Sequence, residues 1–166
     1  MTEQFPGDSP RRARTDGSVV PRLLAVNRYL VLGTADADGQ PWVTPVFFAP
    51  LEPDRVCWVS SPDSRHSRNI ASRAALAITV FDSTVAIGQA EAAYFDADAA
   101  QVAADETGSA LDALNARLPP AKHLGRDDLH PAGSLVLYQA ALQHRYVLVR
   151  GGNSGFGYAV DTTVEV

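Results

Sequence analysis

The chain has 166 residues, enough for one domain that buries roughly two-thirds of the surface its unfolded form would expose. Hydrophobic residues make up 46% and charged residues 20%, which excludes a largely disordered or fibrous chain. The net charge is −5 with only 14 basic residues, so a general nucleic-acid surface is excluded and any anion site must be local. The single cysteine, Cys57, excludes a disulfide framework, and the scattered histidines lack the spacing of a zinc site, so we expect no metal.

The ends of the chain differ in composition from its middle. Residues 1–18 are rich in Pro, Gly, Ser, Asp and Arg, which predicts a flexible arm before a domain over residues 19–150 and a glycine-rich tail over 151–166. No apolar run approaches the roughly 20 residues of a membrane span, and no apolar segment follows the arginine-bearing start. We therefore expect a cytoplasmic protein with no membrane partner.

The first half of the domain is typical of a helix followed by three strands. The apolar spacing over residues 20–28 predicts a short helix, and the runs 29–35 and 41–48, separated by Asp38-Gly39, predict a β-hairpin. Pro45 lacks a ladder donor, which fits a bulge, an edge strand or a ligand-bearing rim. A third strand is predicted over 55–61, and strands in series with short connections favour antiparallel pairing.

The second half adds further short elements. A helix is predicted over residues 64–73 with Asp63 or Ser64 as its cap, followed by strands over 75–82 and 85–95. An Ala-rich helix is predicted from Asp96 to about Arg117, and a last long strand over 134–150. The expected class is mainly β (α+β), a six-stranded antiparallel barrel with short helices on its rim.

The most informative stretch is the end of the third strand, where hydroxyl residues run directly into a helix start that bears Arg65, His66 and Arg68. Free backbone N–H groups and the positive end of a helix dipole attract phosphate, and a guanidinium can bind it through two parallel hydrogen bonds. These residues alone fit a solvated helix face equally well, so local chemistry leaves the two readings open.

Four segments, taken in order, resemble the pyridoxamine 5′-phosphate oxidase-like family of flavin-binding split β-barrels. They are VLGTADADGQPWVTPVFF, VCWVSSPDSRHSRNI, ALAITVF and VAIGQAEAAYF. The resemblance implies a homodimer with flavin mononucleotide (FMN) in a groove between the subunits. It also implies that phosphate is held by Arg65 and His66, with Ser60 and Ser61 at the strand end, and that the flavin is contacted by Val43, Thr44, Pro45, Val46, Ser83 and Gln89.

The chain also departs from the pattern of that family. His66 replaces the usual lysine, so phosphate binding is expected to weaken as pH rises through the ordinary histidine pKa of about 6.5. The basic residues of the second strand and the Trp-and-Arg ending of the true oxidases are missing, which argues against pyridoxamine phosphate as the substrate. His144 and Arg145 interrupt the last strand with polar groups and are weaker candidates for the substrate side.

The sequence therefore predicts a cytoplasmic, FMN-dependent oxidoreductase that acts on an unidentified small organic substrate. Three alternatives stay open: a reductase that uses a deazaflavin cofactor, a protein that binds flavin or haem without turnover, and a barrel that serves as an interaction module. In the first hypothesis the cofactor carries the redox chemistry, so the absence of a catalytic dyad is no objection.

Overall fold

The structure is a computed structural model that describes residues 18–152 and 157–166. All of the predicted arm except Ser18, and residues 153–156 of the predicted tail, lie outside the described residues. The helices are Val19–Val26 (α1), Arg65–Ser72 (α2) and Thr107–Asn115 (α3), and two 3-10 turns occupy Pro120–Lys122 and Arg126–Asp128. The strands are Tyr29–Ala35 (β1), Pro41–Phe47 (β2), Ala49–Leu51 (β3), Arg55–Ser60 (β4), Ala75–Phe81 (β5), Ala92–Gln101 (β6), Val136–Val149 (β7) and Thr162–Glu165 (β8).

The strands form one antiparallel sheet that curls on itself. Their order is β2-β1-β5-β6-β7-β4-β3, and β8 pairs with β7. The two ends of this order, β2 and β3, are consecutive in the chain and are joined only through Phe48. The sheet must therefore curl until its ends meet, which gives the split barrel that the sequence predicts.

The inner face of the sheet forms the main core. Alternate residues of β1, Leu30 and Leu32, are fully buried, and so are Trp58 on β4 and Phe95 on β6. Helix α1 packs its apolar side into this core at one mouth of the barrel, while α2 covers the opposite mouth. A smaller core lies outside β3 and β4, where helix α3 packs against them.

The Ala-rich segment after residue 91 corrects one prediction. The expected helix from Asp96 is wrong over its first part, since residues 92–101 form β6 and the helix begins only at Thr107. The segment has alternating burial, with Ala97 and Ala99 inside and Asp98 outside, so tertiary packing prevails over the helix propensity of alanine. The strand predicted over residues 85–95 begins later, because residues 82–91 form a turn in which Gly88 has φ +88°.

Two short strands were not predicted. β3 is three residues long, and β8 adds to the edge of β7 that lies beyond the end of β4. Among residues 18–152 and 157–166, no helix combines the length and apolar character that a membrane crossing needs.

Candidate functional site

Three elements meet at the barrel mouth that α2 covers. They are the end of β4 with Ser60 and Ser61, the first turn of α2, and the edge strand β2; we call this place the α2 corner. Ser64 caps the helix, because its hydroxyl oxygen accepts the backbone N–H of Ser67 at 3.4 Å. The first-turn N–H groups of α2 therefore begin where the strand ends, as the sequence predicted.

His66 points into the molecule. It is 7% exposed, and its Nε2 lies 2.8 Å from Ser60 Oγ and 3.2 Å from Ser64 Oγ. Burial lowers the pKa of this imidazole below its usual value, so the ring is uncharged at neutral pH. His66 thus links the end of β4 to the cap of α2, and its predicted contact with phosphate stays a prediction.

Arg65 points the other way, toward the β1–β2 hairpin. Its guanidinium carbon lies 4.6 Å from the ring centroid of Trp42, and its Nη2 lies 3.9 Å from Asp36 Oδ2. The side chain remains 38% exposed. Arg68, one turn further on, donates instead to the backbone carbonyl of Asp63. Arg65 is thus the cation that the first turn of α2 offers at the hairpin side of the corner.

The edge of β2 supplies hydrogen-bonding groups to the same corner. Within the described residues β2 pairs only with β1, so its second edge carries backbone groups that no strand uses. The hydroxyl of Thr44 is buried and has no partner among those residues. Val43 and Pro45 are exposed, whereas Val46 is buried. A ligand with acceptor and donor groups along one side fits the backbone of this edge, whereas the Thr44 hydroxyl lies beneath the surface without a partner among the described residues.

Ser83 and Gln89 do not reach this corner within one chain. β5 pairs Gly33 with Ala77 and Val31 with Thr79, so it runs away from α2 toward the mouth that α1 covers. At about 3.3 Å per residue, Ser83 lies roughly 20 Å beyond the level at which α2 contacts β1. Both residues are exposed in the turn between β5 and β6.

His144 and Arg145 are also separated from the corner. His144 lies on the outer face of β7 opposite Asp96, and its Nδ1 is 3.0 Å from Glu165 Oε1 on β8. The register of β6 against β7 shifts here, which leaves an extra residue in β7 as a β-bulge. Arg145 forms an ion pair with Asp54 beside the β3–β4 turn. His144 and Arg145 therefore lie at different surfaces of the molecule.

The outer face of the sheet opposite α3 is apolar and carries no helix within the described chain. It holds a shallow pocket of about 290 Å³. The pocket is lined by Val31, Gly33, Val43, Ala77, Ile78, Thr79, Tyr94, Phe95, Asp96 and Tyr146. A second pocket of about 540 Å³ continues from Val43 and Ala77 to Trp42, which stacks with Arg65. The apolar face and the α2 corner are therefore continuous.

Comparison with known sequences decides the family. The sequence profile described as pyridoxamine 5′-phosphate oxidase matches residues 20–128, more than half of the chain. The chain belongs to the pyridoxamine 5′-phosphate oxidase-like family. The match includes β1 to β6, α2 and α3, so it covers the whole α2 corner of this family member. No curated protein sequence matches the chain.

Solved structures show the same fold at low identity. The heme storage protein HutZ from Vibrio cholerae superposes with a TM-score of 0.64 at 20% identity, over 78% of this chain and 91% of that one. A heme-binding protein from Mycobacterium smegmatis superposes with a TM-score of 0.69 at 17% identity, over 92% of this chain and 59% of that one. An FAD-binding protein from Mesorhizobium loti superposes with a TM-score of 0.61 at 15% identity, over 80% of this chain and 93% of that one. These likenesses establish the split-barrel fold of the pyridoxamine 5′-phosphate oxidase-like chain.

Two features of the corner were not found from the sequence. Asn69 Nδ2 donates to Thr34 Oγ1 at 3.0 Å, and the Thr34 hydroxyl donates to the carbonyl of Trp42 at 3.3 Å, so α2 is tied to the hairpin. Strand alternation places Trp42 on the same side of β2 as Thr44 and Val46, which is a signal that sequence analysis could have used.

Proposed function

We propose that this protein is an FMN-dependent oxidoreductase that works as a homodimer on a small organic substrate. The observation that carries the proposal is the α2 corner, where the partly exposed side chain of Arg65 lies over Trp42 of β2, an edge strand that has one unpaired side and a buried, unpartnered hydroxyl at Thr44. A cation and helix N–H groups suit a phosphate, and a strand edge suits the polar rim of a planar ring.

Different residues of the corner would bind different parts of the cofactor. Arg65 and the first-turn N–H groups of α2 would bind the phosphate, with the exposed hydroxyl of Ser61 beside them. The backbone of Val43, Thr44 and Pro45 would meet the ring. His66, uncharged at neutral pH, would keep the serines of the corner in place. Bound flavin supplies the transfer of a hydride or electrons, while the protein orients the ring and excludes water.

A second copy of the chain would complete the site. Ser83 lies roughly 20 Å from the corner of its own chain and Gln89 lies in the same turn, so both would join a cofactor at the corner of a partner subunit. The uncovered apolar face around Ala77, Thr79 and Tyr94 is the surface through which two copies would pair. Because this face runs into the corner through Trp42 and Val43, pairing there would also close the groove.

FMN titration of the purified protein, with riboflavin as the ligand that lacks phosphate, tests the phosphate assignment. We expect Arg65→Ala to weaken FMN binding roughly ten- to a hundredfold, the loss of one charge-assisted hydrogen bond or a pair of them, and to leave riboflavin binding unchanged. The matched control is Arg126→Ala, which removes the same charge from an exposed 3-10 turn that does not belong to the corner.

Equal FMN affinities of the two variants would contradict the role of Arg65. Equal affinities of the wild type for FMN and riboflavin would contradict a phosphate site altogether. A protein that binds FMN but whose flavin absorption is not bleached by reduced nicotinamide cofactors or other electron donors would favour a flavin carrier over an enzyme. Mass spectrometry of any copurified cofactor separates FMN from a deazaflavin.

Haem is the second candidate, and His144 favours it. The Glu165 carboxylate holds Nδ1 of this exposed imidazole, and no described residue binds Nε2, which is how proteins orient a histidine that ligates a metal. Two of the structures with this fold are named for haem. The absorption spectrum of the protein after incubation with hemin decides: a Soret band that His144→Ala removes would support haem, whereas a flavin spectrum supports the first proposal.

A further inference from the structure

Two residues of the β1–β2 hairpin hold the guanidinium of Arg65. The ring of Trp42 lies under it at 4.6 Å, and the carboxylate of Asp36 faces one edge at 3.9 Å. Arg65 itself belongs to α2, so the contacts join two separate elements. Trp42 is 40% exposed, which leaves room for a ligand beside the stacked pair.

Both holding groups are themselves fixed. Asp36 Oδ1 accepts the backbone N–H of Asp38 at 3.1 Å and of Gln40 at 2.9 Å, so the turn orients the carboxylate and leaves Oδ2 for Arg65. Trp42 lies opposite Thr34 in the β1–β2 ladder. The hydroxyl of Thr34 bonds the carbonyl of Trp42 and is bonded in turn by Asn69 of α2.

The arrangement has a consequence for binding. An arginine side chain has many rotamers, and a ligand that must order it loses affinity, whereas a stacked guanidinium is already ordered. The contact with the Trp42 ring engages one side of the guanidinium, and the five N–H donors of the group leave others for hydrogen bonds. Asp36 takes part of one edge, so an incoming anion competes with that carboxylate.

We infer that Trp42 is a positioning residue that holds Arg65 for the anionic end of the cofactor, and that Asp36 competes with this anion for the same guanidinium. The inference rests on the proposed function, since it takes the FMN phosphate as the anion. Of the three side chains in this unit, Arg65, Trp42 and Asp36, only Arg65 touches the anion.

The experiment compares FMN and riboflavin affinities in a double-mutant cycle. Trp42→Leu should weaken FMN binding roughly three- to tenfold, while Trp42→Phe, which keeps an aromatic face, should stay within about twofold of the wild type. In an Arg65→Ala background, Trp42→Leu should have no further effect. Asp36→Asn, which keeps the turn hydrogen bonds, should strengthen FMN binding by roughly two- to fivefold. Riboflavin affinity should be unchanged in every variant.

Three results of the binding experiment would overturn the inference: Trp42→Leu binding FMN like the wild type, the same loss from Trp42→Leu with and without Arg65, or a parallel loss of riboflavin binding. A second measurement needs no cofactor. The Nε–H proton of Arg65 should show an upfield ring-current shift in NMR spectra that Trp42→Leu abolishes and Trp42→Phe largely keeps. If the wild type fails to prefer FMN over riboflavin, the proposed function fails; an unshifted Nε–H signal refutes the positioning role separately.

Discussion

Buried histidine makes the stability of the protein depend on pH. Burial lowers the pKa of His66 in the folded state, so the unfolded chain, whose histidine titrates near 6.5, binds the extra proton first as pH falls. The free energy of unfolding should therefore be highest above about pH 6.5. It should decrease as the pH falls from there toward the lower pKa that His66 has in the folded state. Because a single proton is involved, the free energy of unfolding can change by at most about 1.4 kcal/mol per pH unit.

Urea unfolding at several pH values between 5 and 8 measures the effect. His66→Asn should show a flatter pH dependence than the wild type, because its side chain does not titrate. His130→Asn, at an exposed histidine, should leave the dependence unchanged. The same slope in the wild type and in His66→Asn would show that other groups carry it.

Arg65 and His66 show which features of single residues the sequence could predict. The resemblance treats Arg65 and His66 as one phosphate-binding pair, yet consecutive helix residues point about 100° apart. The structure accordingly directs one to the hairpin and the other to Ser60. The location of the corner and its residue types were predictable, but the burial of His66 depends on how α2 packs over the end of the barrel beside Ser60, which no local pattern contains.

At the scale of elements, Arg117 joins two helices. It follows α3, and its guanidinium donates to the carbonyls of Leu24 at 3.0 Å, Ala25 at 3.4 Å and Asn27, at the end of α1. It also lies over the ring of Phe48, 4.8 Å from the centroid. The last carbonyls of a helix have no partner within it, and α1 has no basic residue in its own last turn.

Replacing this arginine should destabilise the fold. We expect Arg117→Met, which keeps the apolar length, to lower the free energy of unfolding by about 2 kcal/mol, the value of charged hydrogen bonds to partly buried carbonyls. Urea denaturation with circular dichroism measures the change. Arg126→Met, in the exposed 3-10 turn, should change it by less than about 0.5 kcal/mol. Equal effects of the two substitutions would exclude a capping role.

The strands illustrate why some elements were predictable and others were not. β1, β2, β4 and β5 have alternating or apolar runs bounded by turn residues, and their bounds agree with prediction to within one residue at each end. β6 has alanine and aspartate in alternation, a composition that favours a helix until β5 and β7 pair with both its edges. β8 depends wholly on its long-range partner β7.

For the whole molecule, serial strands with short turns sufficed to predict an antiparallel barrel, but they left the strand order open. The β1–β5 and β4–β7 pairings link distant segments, and they determine which residues share a mouth of the barrel. They place α1 and α2 at opposite mouths and thereby separate Ser83 from Arg65. The cofactor residues implied by the resemblance thus form one site only if two chains combine.

A substitution at the centre of the outer face tests whether two chains must combine to form the cofactor site. Ala77 is exposed there between Gly33 and Asp96, so Ala77→Arg would put a long side chain in the middle of the proposed interface, and its charge, even beside the Asp96 carboxylate, would lose its water on pairing. We expect the dimer to weaken roughly a hundredfold or more, with FMN affinity falling over the same protein concentrations. Sedimentation velocity and FMN titration measure the two, and Ala121→Arg, in an exposed 3-10 turn, is the control. A monomeric Ala77→Arg with full FMN affinity would mean that one chain holds the cofactor alone, whereas an intact dimer would mean that pairing uses another surface.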